Sequence, residues 1–126
     1  MTPTVSVEAV FSVGSNCGDR VDHVEKGLKW LSSVLFDCRC SHIYATPDCH
    51  GSCCEYMNAV VKGSTSLTPR ELENMCKEYE ISMGRDDSAR KAGNVPVDID
   101  LVVYDNRILR KKDFSSEFFI IGYSCI

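Results

Sequence analysis

Between Val97 and Val103 the chain alternates aliphatic side chains with carboxylates. Val97, Ile99, Leu101 and Val103 share one parity, and Asp98 and Asp100 share the other. This is the period of a β-strand, so both carboxylates face one side of a sheet and the aliphatics face the other. The apolar side demands a cover. The acidic side brings two like charges close together, with apolar neighbours thinning the water that would screen them. A divalent cation relieves that repulsion, and hard oxygen donors suit Mg²⁺. A half-buried strand with a solvated acidic face has the same pattern, and the D-x-D alone does not separate the two.

The rest of the chain supplies partners for this strand. Val5, Val7, Ala9, Phe11 and Val13 alternate with Ser6, Glu8 and Ser12, and the run ends at the turn signal Gly14-Ser15-Asn16. A helix is predicted over 19–35. There Val21, Val24, Leu28, Leu31 and Leu35 recur at helical spacing, with Asp22, Glu25, Lys26 and Lys29 opposite. A strand is predicted over 38–46, stopped by Pro47, then a loop over 47–54 and a strand over 55–63. Thr68-Pro69-Arg70-Glu71 marks a helix start: Thr as N-cap, Pro at the first position and Glu completing a capping box. That helix runs to Met83 and buries Leu72, Met75, Cys76, Tyr79 and Met83. A polar loop, 84–95, leads into the acidic strand, and a basic stretch and an apolar segment over 118–123 follow it. The order β-α-β-β-α-β predicts an α+β fold of ferredoxin-like topology. Both helices then cover one face of an antiparallel sheet, and the other face stays open for a ligand.

At 126 residues the chain suits a single domain, 1–126, with a core of its own. A net charge of −4 argues against a nucleic-acid partner. No apolar run is long enough to span a bilayer, and Met1-Thr2-Pro3-Thr4 lacks the basic start of a secretory signal. A cytoplasmic location without membrane association is therefore expected, and no obligate protein partner is evident. There the eight cysteines remain thiols. Cys38, Cys40 and Cys76 are expected to be small buried hydrophobes. Cys49-His50-Gly51-Ser52-Cys53-Cys54 is the best soft-metal candidate but lacks paired C-x-x-C ligands.

Five segments in this order and spacing resemble the 6-hydroxymethyl-7,8-dihydropterin pyrophosphokinase family of folate biosynthesis. They are Ser12-Val13-Gly14-Ser15-Asn16, Ile43-Tyr44-Ala45-Thr46-Pro47, Tyr56-Met57-Asn58-Ala59-Val60-Val61, Glu80 with Gly84-Arg85, and Val97-Asp98-Ile99-Asp100-Leu101-Val102. The resemblance spans roughly residues 7–105. It implies transfer of the terminal pyrophosphoryl group of ATP to the pterin hydroxymethyl, releasing AMP, with two Mg²⁺ ions as cofactor. It implies that Asp98 and Asp100 are the catalytic, metal-binding pair. It assigns Thr46, Pro47, Tyr56 and Asn58 to the pterin pocket, with Phe118 or, by the two aliphatics that follow it, Phe119 as the stacking ring. It places Glu80, Arg85 and Ile99 on the nucleotide side, with Arg90 and Lys91 as loop cations. Without the resemblance, Tyr56 reads as core packing, Asn58 as a satisfied buried amide and Arg85 as an ordinary helix C-terminal cation.

The chain departs from the family where positive charge is expected. Val95 stands three residues before the first Asp, where the pattern has Arg; Asp87 replaces another Arg, and Ala92 replaces a common Trp. The three histidines lie at 23, 42 and 50, so the C-terminal histidine of the pattern is missing. The chain also ends at Ile126, earlier than the pattern usually does. Arg107, Arg110, Lys111 and Lys112 offer replacement charge, although basic turns are common on surfaces. Two readings follow: an active pyrophosphokinase of reduced form, or a degenerate pterin- or nucleotide-binding module with little turnover. A third, a cysteine-based metal or redox protein, is more distant.

Overall fold

Strand β1 (Val7–Ser15) is the axis of the sheet because both of its edges are paired. It runs antiparallel to β4 (Tyr56–Thr65) on one side and to β5 (Asp98–Tyr104) on the other. The structure, a computed structural model, describes residues 5–47 and 55–126. Both β2 (Phe36–Cys40) and β3 (Tyr44–Thr46) pair antiparallel with β4, and β6 (Arg107–Ile108) pairs with β5. The sheet order is β2-β4-β1-β5-β6, with β3 alongside β4. Adding α1 (Arg20–Val34) and α2 (Pro69–Ser82) gives the α+β, ferredoxin-like βαββαβ arrangement expected from the periodicity.

The helices start where local chemistry predicts. Asp19 accepts from the Asp22 N–H at 3.1 Å. Thr68 and Glu71 form a reciprocal capping box, each side chain accepting from the other's backbone N–H, at 3.2 and 3.0 Å. Both helices cover the face built by Ala9, Phe11, Val13, Ala59, Val61, Ile99 and Leu101. Gly27 brings α1 close: a Cβ there would lie 3.0 Å from Val13 Cγ1. Val24, Leu31 and Leu35 are buried and Leu28 packs against them, as the predicted face of α1 requires, while Val21 alone of that face is exposed. On α2, Leu72 and Cys76 are fully buried, while Met75, Tyr79 and Met83 are half-buried.

Tertiary structure corrects several expectations. The single strand predicted over 38–46 is two strands; between them Ser41 keeps the ladder, its N–H donating to the Val60 carbonyl at 2.8 Å. On β2, at the sheet edge, Cys40 is exposed rather than buried. The loop predicted over 84–95 contains α3 (Asp87–Ala92), opened by the Asp86 side chain and closed by Gly93 in the left-handed region at φ 75°. A register shift sets Val10 against Val103 and Phe11 against Leu101, so Val102 is an extra residue in β5. Val103 consequently leaves the face of Val97, Ile99 and Leu101 and joins a second apolar cluster.

That second cluster covers part of the face expected to stay open. The tail folds into α4 (Lys111–Phe114) and α5 (Glu117–Tyr123), and α5 packs Phe119 onto Val10, Val60 and Val102. Gly122 lets α5 lie flat, since a Cβ there would sit 2.6 Å from both Val60 Cγ2 and Tyr44 Oη. Tyr44 locks the contact: its hydroxyl donates to the Phe118 carbonyl and accepts from the Gly122 N–H at 3.1 Å. The helices are thus not all on one face: α1 and α2 share one, and α5 of the tail packs on the other. Among the described residues no helix is long and apolar enough to cross a membrane.

Candidate active site

The strand register aligns the expected site residues in rows. Gly14 of β1 lies opposite Asn58 on one side and Asp98 on the other, and Tyr44 lies opposite Asn58. Directly opposed residues project from the same face. Ser12 likewise lies between Val60 and Asp100. Asn58 and the two carboxylates therefore share the face that α5 covers only in part. The Asn58–Gly14–Asp98 row spans two inter-strand spacings, about 10 Å.

Thr46, Tyr56 and Asn58 come together at one end of this row. Thr46 pairs with Tyr56 across β3 and β4. The Asn58 Nδ2 donates to Thr46 Oγ1 at 2.5 Å, and both residues are buried. Pro47 is exposed beside Thr46, next to the segment outside the described residues. The cysteine and histidine cluster at 49–54 lies in that segment. Gly14 was not singled out from the sequence as a site residue, yet its missing side chain keeps the row open. A Cβ there would lie 3.0 Å from Asn58 Oδ1 and 3.5 Å from a Tyr56 ring carbon. The sequence reads Gly14 as the turn that ends the alternation, whereas β1 continues through it to Ser15.

Phe119 does not join them. It has no exposed surface and stacks obliquely on Phe114 and Tyr123, with ring centroids 5.7 and 5.1 Å away. The assignment of Phe119 as a ligand-stacking ring is therefore corrected: it is the apolar anchor of α5.

At the other end of the row, Asp98 and Asp100 border a cleft of 460 Å³ along the free edge of β5. This lies within the range typical of small-molecule sites. Arg85 closes it from the α2 side, donating through Nη1 to Glu80 Oε1 and Asp98 Oδ1, both at 2.7 Å. Although burial opposes its charge, these carboxylates hold the Arg85 guanidinium above its ordinary pKa. Its Nε is buried without a hydrogen-bond partner. Arg110 closes the other side, with Nη2 3.9 Å from Asp100 Oδ1 and Nε bound to Asp113. Burial, followed by the neighbouring Asp98 charge, pushes the Asp100 carboxyl up to about 8.

The remaining nucleotide-side expectations separate. Glu80 is buried, and its Oε2 accepts from the Ile99 N–H at 2.8 Å. It satisfies an edge-strand donor and ties α2 to β5. The Ile99 side chain belongs to the main core, and its N–H is already engaged by Glu80. Arg90 borders the cleft from exposed α3, whereas Lys91 is exposed and outside the lining. Asn16 fastens the approach to β5. It accepts from the Val95 N–H at 2.6 Å through Oδ1 and donates to the Gly93 carbonyl at 3.0 Å through Nδ2. Replacing Glu80 by Ala is expected to cost about 2–3 kcal/mol in urea unfolding, because a buried N–H and one side of Arg85 lose their acceptor. Glu80→Gln keeps one acceptor, enough for the Ile99 N–H but not for Arg85 as well, and should recover only part of that loss. An alanine variant as stable as the parent would refute the tie.

The carboxylate pair fits a hard divalent cation. It presents oxygen donors from one strand face, under mutual repulsion, at the border of a cleft. No group of three or more His, Cys, Asp or Glu able to hold a metal occurs among the described residues. Two carboxylates leave coordination positions for water and for ligand phosphates, which is the usual habit of Mg²⁺. By formal charge the lining is balanced: Glu73, Glu80, Asp98 and Asp100 against Lys77, Arg85, Arg90 and Arg110. A bound cation turns it positive.

Comparison with known proteins agrees with the geometry. The sequence matches the family described as 7,8-dihydro-6-hydroxymethylpterin-pyrophosphokinase over residues 10–124, which includes the tail that builds α4 and α5. A 2-amino-4-hydroxy-6-hydroxymethyldihydropteridine pyrophosphokinase of Aquifex aeolicus is 32% identical over 106 residues, covering 81% of this chain and 64% of the relative. A folate synthesis bifunctional protein of Arabidopsis thaliana is 32% identical over 110 residues, covering 80% of this chain and 21% of the relative. One from Chlamydia trachomatis is 34% identical over 103 residues, covering 75% and 22% respectively. The chain thus spans about a fifth of these bifunctional relatives and somewhat under two thirds of the Aquifex protein.

Proposed function

This chain belongs to the 7,8-dihydro-6-hydroxymethylpterin-pyrophosphokinase family, and from that premise we propose that it moves a pyrophosphoryl group from ATP to 6-hydroxymethyl-7,8-dihydropterin, releasing AMP. One observation carries the reading. The register sets Asn58, Gly14 and Asp98 side by side on one sheet face, so a flat ring and a phosphate chain can meet end to end. We assign the activity to the single domain 1–126, and a reducing cytoplasm suits the thiols of Cys38, Cys40, Cys76 and Cys125.

In this mechanism Thr46, Tyr56 and Asn58 hold the pterin, with the Asn58 amide and the backbone beside Pro47 reading the donor and acceptor edge. Gly14 leaves the path to the carboxylates clear. Asp98 and Asp100 would hold Mg²⁺, which, when bound, neutralises the phosphates and polarises them toward attack. Arg85 and Arg90 place cationic donors along the phosphate chain. Glu80 keeps Arg85 and the edge of β5 in register while ligands bind. Fixing the hydroxymethyl in line with the phosphorus supplies most of the rate, so the chain needs no dedicated general base.

One observation favours the second reading, a binding module with little turnover. Arg85 is committed to two carboxylates, and Val95, Asp87 and Ala92 supply no positive charge. A product assay with Mg²⁺-ATP and 6-hydroxymethyl-7,8-dihydropterin, resolving AMP from ADP, separates them. Pterin-dependent AMP that disappears in Asp98→Ala is the expected result. Pterin binding without AMP would leave the binding module.

A further inference from the structure

Val95, just before the acidic strand, brings no charge to the cleft. Val95 is half-buried, with its N–H and carbonyl both bonded to Asn16. Asp87 is exposed on α3 and faces Arg90 at 3.9 Å, drawing on the charge of a loop cation. Of the basic cluster after β6, only Arg110 borders the cleft; Lys111 and Lys112 are exposed and outside its lining.

Arg110 is also held in position. Its Nε is bound to Asp113, three residues on, whose side chain is only 17% exposed. That bond fixes one edge of the planar guanidinium and turns Nη2 toward Asp100. Arg85 stands on the opposite side of the cleft, against Asp98. The two carboxylates therefore have one arginine each, from opposite walls. A polyphosphate seated on the carboxylates through a cation passes between two guanidinium forks, a geometry that suits phosphate oxygens better than ammonium groups do.

We propose that Arg110 contacts the polyphosphate of the nucleotide, supplying from the α4 wall the charge that Val95 cannot. This rests on the pyrophosphokinase reading and adds a residue to it.

Calorimetric titration with Mg²⁺ alone and with Mg²⁺-tripolyphosphate tests it without requiring turnover. Arg110→Gln is expected to weaken Mg²⁺-tripolyphosphate binding about 10- to 100-fold, the loss of a charge-assisted hydrogen-bond pair. Arg110→Lys should fall between. Lys112→Gln, which removes the same charge from an exposed neighbour, should change binding less than about 3-fold, as screened charges do. Mg²⁺ alone should bind Arg110→Gln as well as or better than the parent, because a competing cation has left Asp100. Unchanged melting of Arg110→Gln, half-exposed as it is, separates the loss from misfolding. Polyphosphate binding that survives Arg110→Gln, or that falls equally in Lys112→Gln, overturns the assignment while leaving the pyrophosphokinase reading intact. Failure of the parent protein to bind Mg²⁺-tripolyphosphate overturns both.

Discussion

Replacing Asp100 by Asn is expected to abolish pterin-dependent AMP release, by about 1,000-fold or more, while making the metal-free protein more stable. The loss follows from removing one of the two anionic donors that would hold the cation on which phosphate neutralisation depends. The gain follows from the same carboxylate's position. Burial and the adjacent Asp98 raise its pKa from an ordinary 3.8 to about 8 in the folded state. A carboxyl whose folded pKa is raised binds a proton that the unfolded chain has already lost, so stability falls as pH rises between these two values. Asn removes the ionisation. Discounted for solvent screening, the gain at pH 8 is on the order of 1–3 kcal/mol, or a rise of ~5 °C in Tm. It should vanish near pH 3, where Asp100 is protonated in both states. Saturating Mg²⁺ should stabilise the parent at pH 8 and do much less for Asp100→Asn. Equal melting of the two proteins across this range, with and without Mg²⁺, would show that the carboxylates neither repel nor share a cation.

A leucine at Gly14 should close the path between the pterin residues and the carboxylates. The position lies in the middle of the Asn58–Gly14–Asp98 row, and a Cβ there already crowds Asn58 Oδ1 at 3.0 Å. The backbone is ordinary strand, so the cost to folding should stay below about 2 kcal/mol. Pterin affinity is expected to fall about 100-fold, because a ring cannot share the volume and Asn58 must turn from its edge. Binding of a non-hydrolysable Mg²⁺-ATP analogue should change less than about 3-fold, since the cleft beside β5 is on the far side of Asp98. Gly14→Ala should show a smaller loss in the same direction. Wild-type pterin affinity in the leucine variant would move the pterin site elsewhere.

These effects depend on facts with different legibility. Alternation put Asp98 and Asp100 on one face, and the same parity joined Tyr56 to Asn58. Thr68, Pro69 and Glu71 announced the start of α2. In each case the determinant lies within a few residues, and a period of two or of 3.6 is enough to read it. The bulge at Val102 was hidden, because it depends on the register of β5 against β1 and not on β5 itself. Cys40 looked apolar, but its strand ends at an edge whose place is set by the sheet order. Phe119 matched a ligand-stacking position by its neighbours in sequence; α5 instead turns it into the sheet.

The sequence by itself determined the alternation of strands and helices, the ferredoxin-like order, and that Asp98 and Asp100 face together. These follow from periodicity and caps, which are local. The tertiary structure decided which residues meet across distance. It set Gly14 between Asn58 and Asp98, gave Glu80 to the Ile99 N–H, and chose Arg110 from a basic run to border the cleft. Those choices arise from strand register and from the packing of α5, where contacts far apart in the chain fix positions that no local pattern encodes.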